Sequence, residues 1–483
     1  MPFKRRYFLL FFILLMKCLH AQEMLGIANS NYAGMMGVEL NPASIVGAPY
    51  RWEVHILSLD VFAMNNYLFL KKGSKAISSL RTGTSIPPDR VTYKNTTIDK
   101  SANVQAFAKA PGFIYSNEKF GIALHAATRV ALGARGVPYH LANFMKEGFD
   151  FTQQQKINYS GGDAKIAGMN WHELGLTVGM SLINNKSNYL AAGLSLNYLQ
   201  GLNSFYLLVD NINYNVQSDS LWEIYLAKVE YGHAMADPSA GTGGTALSKK
   251  GSGIGGSLGF QFYRNRNPLA YNPCTKEKLK KYDYKIGFSL IDIGRIKFTK
   301  AAEKYVFNNV STNWFGIDTV KIKGVSQTDV TFNNQFFGNP QEGLVANKYS
   351  IGLPAAASLQ FDYAFSPFWY LNFTAIQRIP FTDYTIRRAN QLSLTLRYER
   401  KRFELAIPYS FYDYFKHRVG VCLRYRFFVI GTDMIGPYTG KFDAYGLDIY
   451  FGIKIQGFGK CKKSSVRTGK RNYQMDCFQE LKR

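Results

Sequence analysis

Cysteine is scarce, with five in 483 residues, and no C-x-x-C pair occurs among them. That excludes a disulfide-built scaffold and the usual spacing of a structural zinc site. After the first twenty-two residues, no apolar run approaches the roughly 20 residues of a membrane-crossing helix. Acidic residues are few: 33 Asp and Glu stand against 58 Lys and Arg, a formal charge of +25. Such an excess raises the question of nucleic acid. The leader described next argues against it. A secreted chain meets the phosphates of a lipid surface, or an acidic ligand, before it meets DNA. Solvation of loops explains the excess equally well.

The leader is read from residues 1–22. Lys4, Arg5 and Arg6 form a basic start, Tyr7 to Met16 is an unbroken apolar run, and Leu19-His20-Ala21 offers a cleavage site. This is the layout of a secretory signal peptide. Cys18 is a poor lipidation site, because Met16 and Lys17 before it are not small. Of the remaining cysteines, Cys461 and Cys477 either pair in an oxidising compartment or stay as thiols, as do Cys274 and Cys422.

What the chain has in abundance is Gly (43), Phe (36) and Tyr (32), arranged with a period of two. Leu174, Leu176, Val178 and Met180 alternate with Glu173, Gly175, Thr177 and Ser181; Val419, Val421, Leu423 and Tyr425 alternate with Arg418, Gly420, Cys422 and Arg424. Alternation of this kind marks strands with one apolar face. It suits a sandwich, whose apolar face is buried, and equally a membrane barrel, whose apolar face meets lipid. Loop lengths separate the two. Strands are expected near 51–68, 102–116, 119–132, 169–183, 188–200, 252–264, 282–296, 347–363, 368–380, 391–400, 402–411, 417–425, 427–434 and 443–456. Connections after the first, third, fifth and seventh are long, whereas most of the others are tight turns such as Ser366-Pro367. The expected fold is therefore all-β: a transmembrane antiparallel barrel of about fourteen strands over 51–456, with both termini on the short-turn, periplasmic side.

A barrel that wide is not filled by its own side chains. Residues 23–50 are dense in small and turn-forming residues and are expected to act as a plug or hatch, the alternative being a loose leader. Residues 457–483 read as a basic, solvated periplasmic tail.

Three stretches carry a family resemblance: Asn31-Tyr32-Ala33-Gly34 with Asn41-Pro42-Ala43-Ser44, then Asp283 to Gly294, then Gly431 to Ile455. In order and spacing the chain resembles a family of uncharacterised Bacteroidota outer-membrane proteins related to fatty-acid-transporter-like barrels. The resemblance implies fourteen strands and an N-terminal hatch, with Asn41, Pro42 and Ala43 in the hatch motif. The wider group also includes barrel subunits of the type IX secretion machinery. The basic tail departs from the terminal aromatic of a typical barrel, leaving Phe451 to Ile455 as the candidate assembly signal.

Catalytic chemistry is not evident. Gly251-Ser252-Gly253-Ile254-Gly255-Gly256 has the letters of a dinucleotide fingerprint but leads into a strand and not a helix. His55, His125, His172 and His417 are available to a lipid hydrolase, yet no Ser/His/acid set stands at matching strand heights in the sequence. No enzyme activity, cofactor or metal is expected. Parity alone marks Glu173, Thr177, Ser181, Lys285, Arg418, Arg424 and Lys454 as facing the lumen, either to meet an anionic group or to form ion pairs in the wall. The expected partners are outer-membrane lipids and lipopolysaccharide, a hydrophobic small molecule, and surface or secretion proteins, with no nucleic acid. The expected function is a passive route for small hydrophobic or amphipathic molecules; the alternative is a non-transporting scaffold or docking barrel for surface proteins or type IX secretion machinery.

Overall fold

The computed structural model describes residues 23–73, 90–185, 187–237, 245, 247–267, 270, 279–320, 324–382 and 384–458. The signal peptide, Cys18, Cys274, Cys461, Cys477 and nearly all of the basic tail lie outside them.

Fourteen strands close into an antiparallel barrel. They are β1 (Trp52–Asn65), β2 (Lys100–Ser116), β3 (Phe120–Val137), β4 (Ala164–Asn184), β5 (Asn188–Val216), β6 (Gly251–Arg264) and β7 (Tyr284–Phe298). The circle continues with β8 (Tyr349–Gly352 and Ala356–Ala364), β9 (Trp369–Arg378), β10 (Gln391–Glu399), β11 (Phe403–Tyr412), β12 (Lys416–Val419 and Val421–Tyr425), β13 (Phe428–Thr432) and β14 (Gly446–Gly457). Closure comes from β1 and β14, paired from Trp52↔Gly457 to Met64↔Gly446. With β1 paired on its other side to β2, no strand edge is left in the wall.

The alternation resolves into an apolar outside and a polar inside. Leu174, Val178, Leu194, Leu396, Leu423 and Ile449 are exposed on the outer wall, while Glu173, Thr177, Ser195, Arg424 and Lys454 between them are buried. A water-soluble sheet would face the other way. Only a solvent as apolar as lipid makes that outer wall favourable, so the barrel is transmembrane. Among the described residues no helix is long and apolar enough to cross a membrane, which leaves crossing to the strands.

The connections at one end are mostly short, such as 117–119 and 400–402, with 265–283 the exception; at the other end most are longer, such as 138–163 and 299–348, with the tight 413–415 the exception. The long ones are more ordered than their irregular composition suggests. β5 has 29 residues, nearly three times the 9–11 that a tilted spanning strand requires. Its far half pairs with a strand at Leu221–Ala234, which pairs in turn with Ala302–Phe315. Period-two reading loses these strands because bulges at Val209/Asn211 and Asn213/Tyr214 turn successive side chains over. Phe144, Ile212, Tyr214, Ile224, Tyr305 and Phe307 form a core for this loop-end sheet. His140 belongs to the same core, stacked 4.4 Å from Tyr159. Burial lowers its pKa below the ordinary imidazole value, so the ring is neutral and suits an aromatic setting.

The lipid face is directly testable. Val178→Arg places a charge against hydrocarbon at a cost of roughly 2–4 kcal/mol near the midplane. It is expected to lower the fraction of heat-modifiable, folded barrel on a semi-native gel, whereas Val178→Ile leaves that fraction unchanged.

Candidate functional site: the lumen and the segment that fills it

The barrel lumen is occupied by the chain's own N-terminal segment. Residues 24–50 are buried apart from partial exposure of Asn31, Glu39, Ser44 and Ala48. The segment adds no strand to the wall. It folds into turns, a short helix at Met35–Val38 and a 3-10 turn at Pro42–Ile45.

Asn41, Pro42 and Ala43 lie close against the wall. Asn41 is extended and caps the 3-10 turn, its Oδ1 accepting from Ala43 N at 3.0 Å. Pro42 at the first position of that turn holds φ where the turn needs it. The Asn41 amide then donates across to Phe260 O at 3.0 Å and Gln360 Oε1 at 2.9 Å. Two wall glycines make this possible. A Cβ on Gly193 would lie 2.5 Å from Ala43 N, and one on Gly259 would lie 2.2 Å from Asn41 Oδ1. The glycines on the inner face are thus the mould of the Asn-Pro-Ala turn.

Many further attachments run from wall side chains to segment backbone, beside side-chain pairs such as Ser30 with Glu404. Lys285 Nζ donates to Asn29 O at 3.0 Å, and Ser289 Oγ to Leu40 O at 2.5 Å. Lys454 Nζ donates to both Tyr32 O and Ala33 O. Glu53 accepts from Met35 N at 2.8 Å, Glu399 from Asn31 N at 3.1 Å, and Asp433 from Leu25 N at 2.8 Å. Arg266 donates to Gly47 O at 2.7 Å near the short turns. A turn-rich segment suits this arrangement, because the N–H and C=O groups that it leaves out of regular structure are what buried wall charges require.

Of the residues marked by parity, Lys285 and Lys454 bond the segment, and the Arg424 guanidinium lies over the Tyr32 ring at 4.7 Å. Arg424 also pairs with Glu404 at 2.8 Å. Glu173 stands 3.6 Å from Arg129 and 3.5 Å from His125, while Thr177 bonds Ser195 at 2.7 Å. Arg418 bonds Ser410 and Gln391. Ser181 lies at the short-turn end, partly exposed, with its backbone N–H on Lys119 O. The anchors that parity missed are Glu53, Ser289, Glu399, Arg266 and Asp433. The first three lie on strands whose alternation reaches them, and Arg266 and Asp433 lie just past strand ends, where parity has no grip.

A Ser/His/acid line does exist, contrary to the sequence reading. Ser58 Oγ is 3.0 Å from His55 Nε2, and His55 Nδ1 is 3.6 Å from Glu53 Oε1. A bulge between His55 and Leu57 puts Ser58 on the face of His55, which strict alternation forbids. All three are at 0% exposure, and Glu53 is already engaged by Met35 and Gln456. A substrate therefore has no access to that serine in this state.

The chain belongs to the family of unknown function DUF5723, whose profile matches residues 42–433. No curated protein matches it. Among solved structures it is similar to a deltaS2S3 mutant of the monoaromatic hydrocarbon channel TodX, at 11% identity over 91% of this chain and 99% of that one, with a TM-score of 0.43. The Ralstonia pickettii toluene transporter TbuX follows at 9% identity, 88% and 94% coverage and 0.41. A Pseudomonas aeruginosa FadL homologue stands at 10% identity, 90% and 97% coverage and 0.41. Likeness at that level carries no argument; the barrel rests on its own strand pairing.

Lys454→Met tests the attachment of the segment. It removes a charged donor from two carbonyls, worth about 1.5–3 kcal/mol per bond to a charged group. Limited proteolysis of the purified protein is expected to cut within 23–50 faster in the variant, with the barrel equally resistant in both.

Proposed function

We propose that the protein is an outer-membrane barrel that gives small hydrophobic or amphipathic molecules a passive route, with residues 23–50 as its gate. The observation that carries this reading is the manner of attachment. The segment fills the lumen through apolar packing and scattered hydrogen bonds, most of them involving side chains, and takes no part in the sheet, so it is able to leave without unzipping a strand.

The wall offers a place where release would matter. β8 is interrupted between Gly352 and Ala356, beside a turn-over in β7 where Asp292 adopts φ 55°. Arg388, from the connection between β9 and β10, reaches inward at this point. It donates to Pro354 O at 2.9 Å, pairs with Asp292 at 3.0 Å and with Glu23 at 2.6 Å. One guanidinium thus ties the start of the gate segment to the interruption in the wall. The cleft there, lined by Glu23, Met36, Glu39, Phe107, Arg129 and Arg388, holds about 50 Å³. That is space for a few water molecules and not for a hydrophobic solute, as a closed gate requires. The scaffold reading draws on the long connections and on the resemblance to type IX secretion barrels; the loop-end sheet packs its largest rings, Trp222 and Trp314, on one another.

Two experiments test the proposal. Deletion of residues 24–48 is expected to leave a folded barrel whose single-channel conductance in planar bilayers is well above that of the intact protein. Equal conductance would make the segment a fixed filling. The proposal puts the long connections on the cell surface, so protease added to intact cells is expected to cut within 138–163 or 299–348. Cutting confined to the short turns would invert the topology.

A further inference from the structure

One cluster in the loop-end sheet takes no part in the lumen. His233 and Glu303 are direct cross-strand partners, on the strands Leu221–Ala234 and Ala302–Phe315. Asp329 comes from the helix Val325–Phe337. His233 Nε2 lies 2.9 Å from Asp329 Oδ2 and 3.7 Å from Glu303 Oε2. One ligand atom from each of the three lies within 4.8 Å of the other two.

The charge balance is unusual. The Asp329 side chain is 4% exposed, and among the described residues no Lys or Arg comes within 4.0 Å of it or of Glu303. Neighbouring Lys304 is spent on Glu230 at 2.9 Å. Two carboxylates, one of them buried, thus share a single imidazole, and burying a carboxylate without a cation is expensive. The ring is 9% exposed, and its Nδ1 is buried with no hydrogen-bond partner. The acids are held in place: Tyr231 donates to Asp329 Oδ1 at 2.9 Å and Tyr305 to Glu303 Oε2 at 2.8 Å. Hydroxyls that bond a carboxylate from behind in this way hold it in the orientation a metal needs. The other His/acid cluster, Glu39, His125 and Glu173, differs in the decisive respect, because Lys109 and Arg129 already neutralise it.

We propose that His233 Nε2, Asp329 Oδ2 and Glu303 Oε2 bind one divalent cation. The ligand set of one imidazole and two carboxylates favours a borderline ion such as Zn2+, held by three protein atoms with a fourth position left to water. Ca2+ is disfavoured, because it takes six to eight oxygens. Glu303, 41% exposed at its side chain, provides the access. Binding uses the ring with Nε2 free of a proton and the remaining proton on Nδ1. The ion would fasten the helix to the hairpin. The helix also places Phe332 edge-on to Trp314, with ring centroids 5.3 Å apart, which gives the event an optical signal.

The test uses the tag-free, chelator-stripped full chain in detergent, titrated with ZnCl2 and separately with CaCl2 by calorimetry and tryptophan fluorescence. One Zn2+ per chain is expected, with Ca2+ at least tenfold weaker. Asp329→Asn and Glu303→Gln are each expected to weaken Zn2+ binding by about 10–100-fold. Asp210→Asn, which alters only the exposed pair with Lys228 in the same sheet, is expected to leave it unchanged. Glu303 is half in solvent, so its variant reports on binding even if Asp329→Asn loosens the helix. No saturable binding below about 1 mM, a Ca2+ preference, or full affinity in Glu303→Gln would each overturn the proposal.

Discussion

The structure depends on one constraint: a fourteen-strand wall that puts its apolar side chains into lipid must turn its polar ones inward, where charge without a partner is costly. Lys285, Lys454, Glu53 and Glu399 are buried on the inner wall or at its rim. Ion pairs within the wall satisfy part of the demand, as Arg397 does with Asp362 at 2.9 Å and Glu399 at 3.1 Å. The backbone of residues 23–50 satisfies much of the rest. Filling the lumen and pairing the charges are therefore one event, and the segment's poverty in regular structure is what fits it for the task.

The barrel itself was legible in the sequence. All fourteen strands lie where the alternation placed them, thirteen with ends shifted by a few residues and β5 running sixteen residues past its expected end, because each must keep one face apolar along its membrane span. Loop asymmetry was legible for the same reason, since it follows from where the alternation stops. The Asn41-Pro42-Ala43 turn was singled out by resemblance, and the structure shows what its residue types do: cap, hold and reach across.

What remained hidden has a common cause. Alternation is a one-dimensional rule, and each bulge resets it. The bulge at His55/Leu57 aligned Ser58 with His55, and those in β5 concealed the loop-end sheet. Partners distant in the chain were equally out of reach. Nothing in a strand pattern connects Asn41 with Gln360, or Glu23 with Arg388. The inner-face glycines did leave a signal, since Gly193 and Gly259 occupy inward positions where a side chain would ordinarily be affordable. Read against the bulky inward residues nearby, they mark where something comes close.

The central claim is that the lumen filling is a releasable unit and not part of the barrel's core. Hydrogen–deuterium exchange of the purified protein, followed by mass spectrometry, measures this directly. The amides of residues 24–46 are expected to exchange together, at a rate far above that of the β1 and β14 strand amides of the same molecules. Protection of the segment equal to that of β1 and β14, lost only when the whole barrel unfolds, would contradict the account.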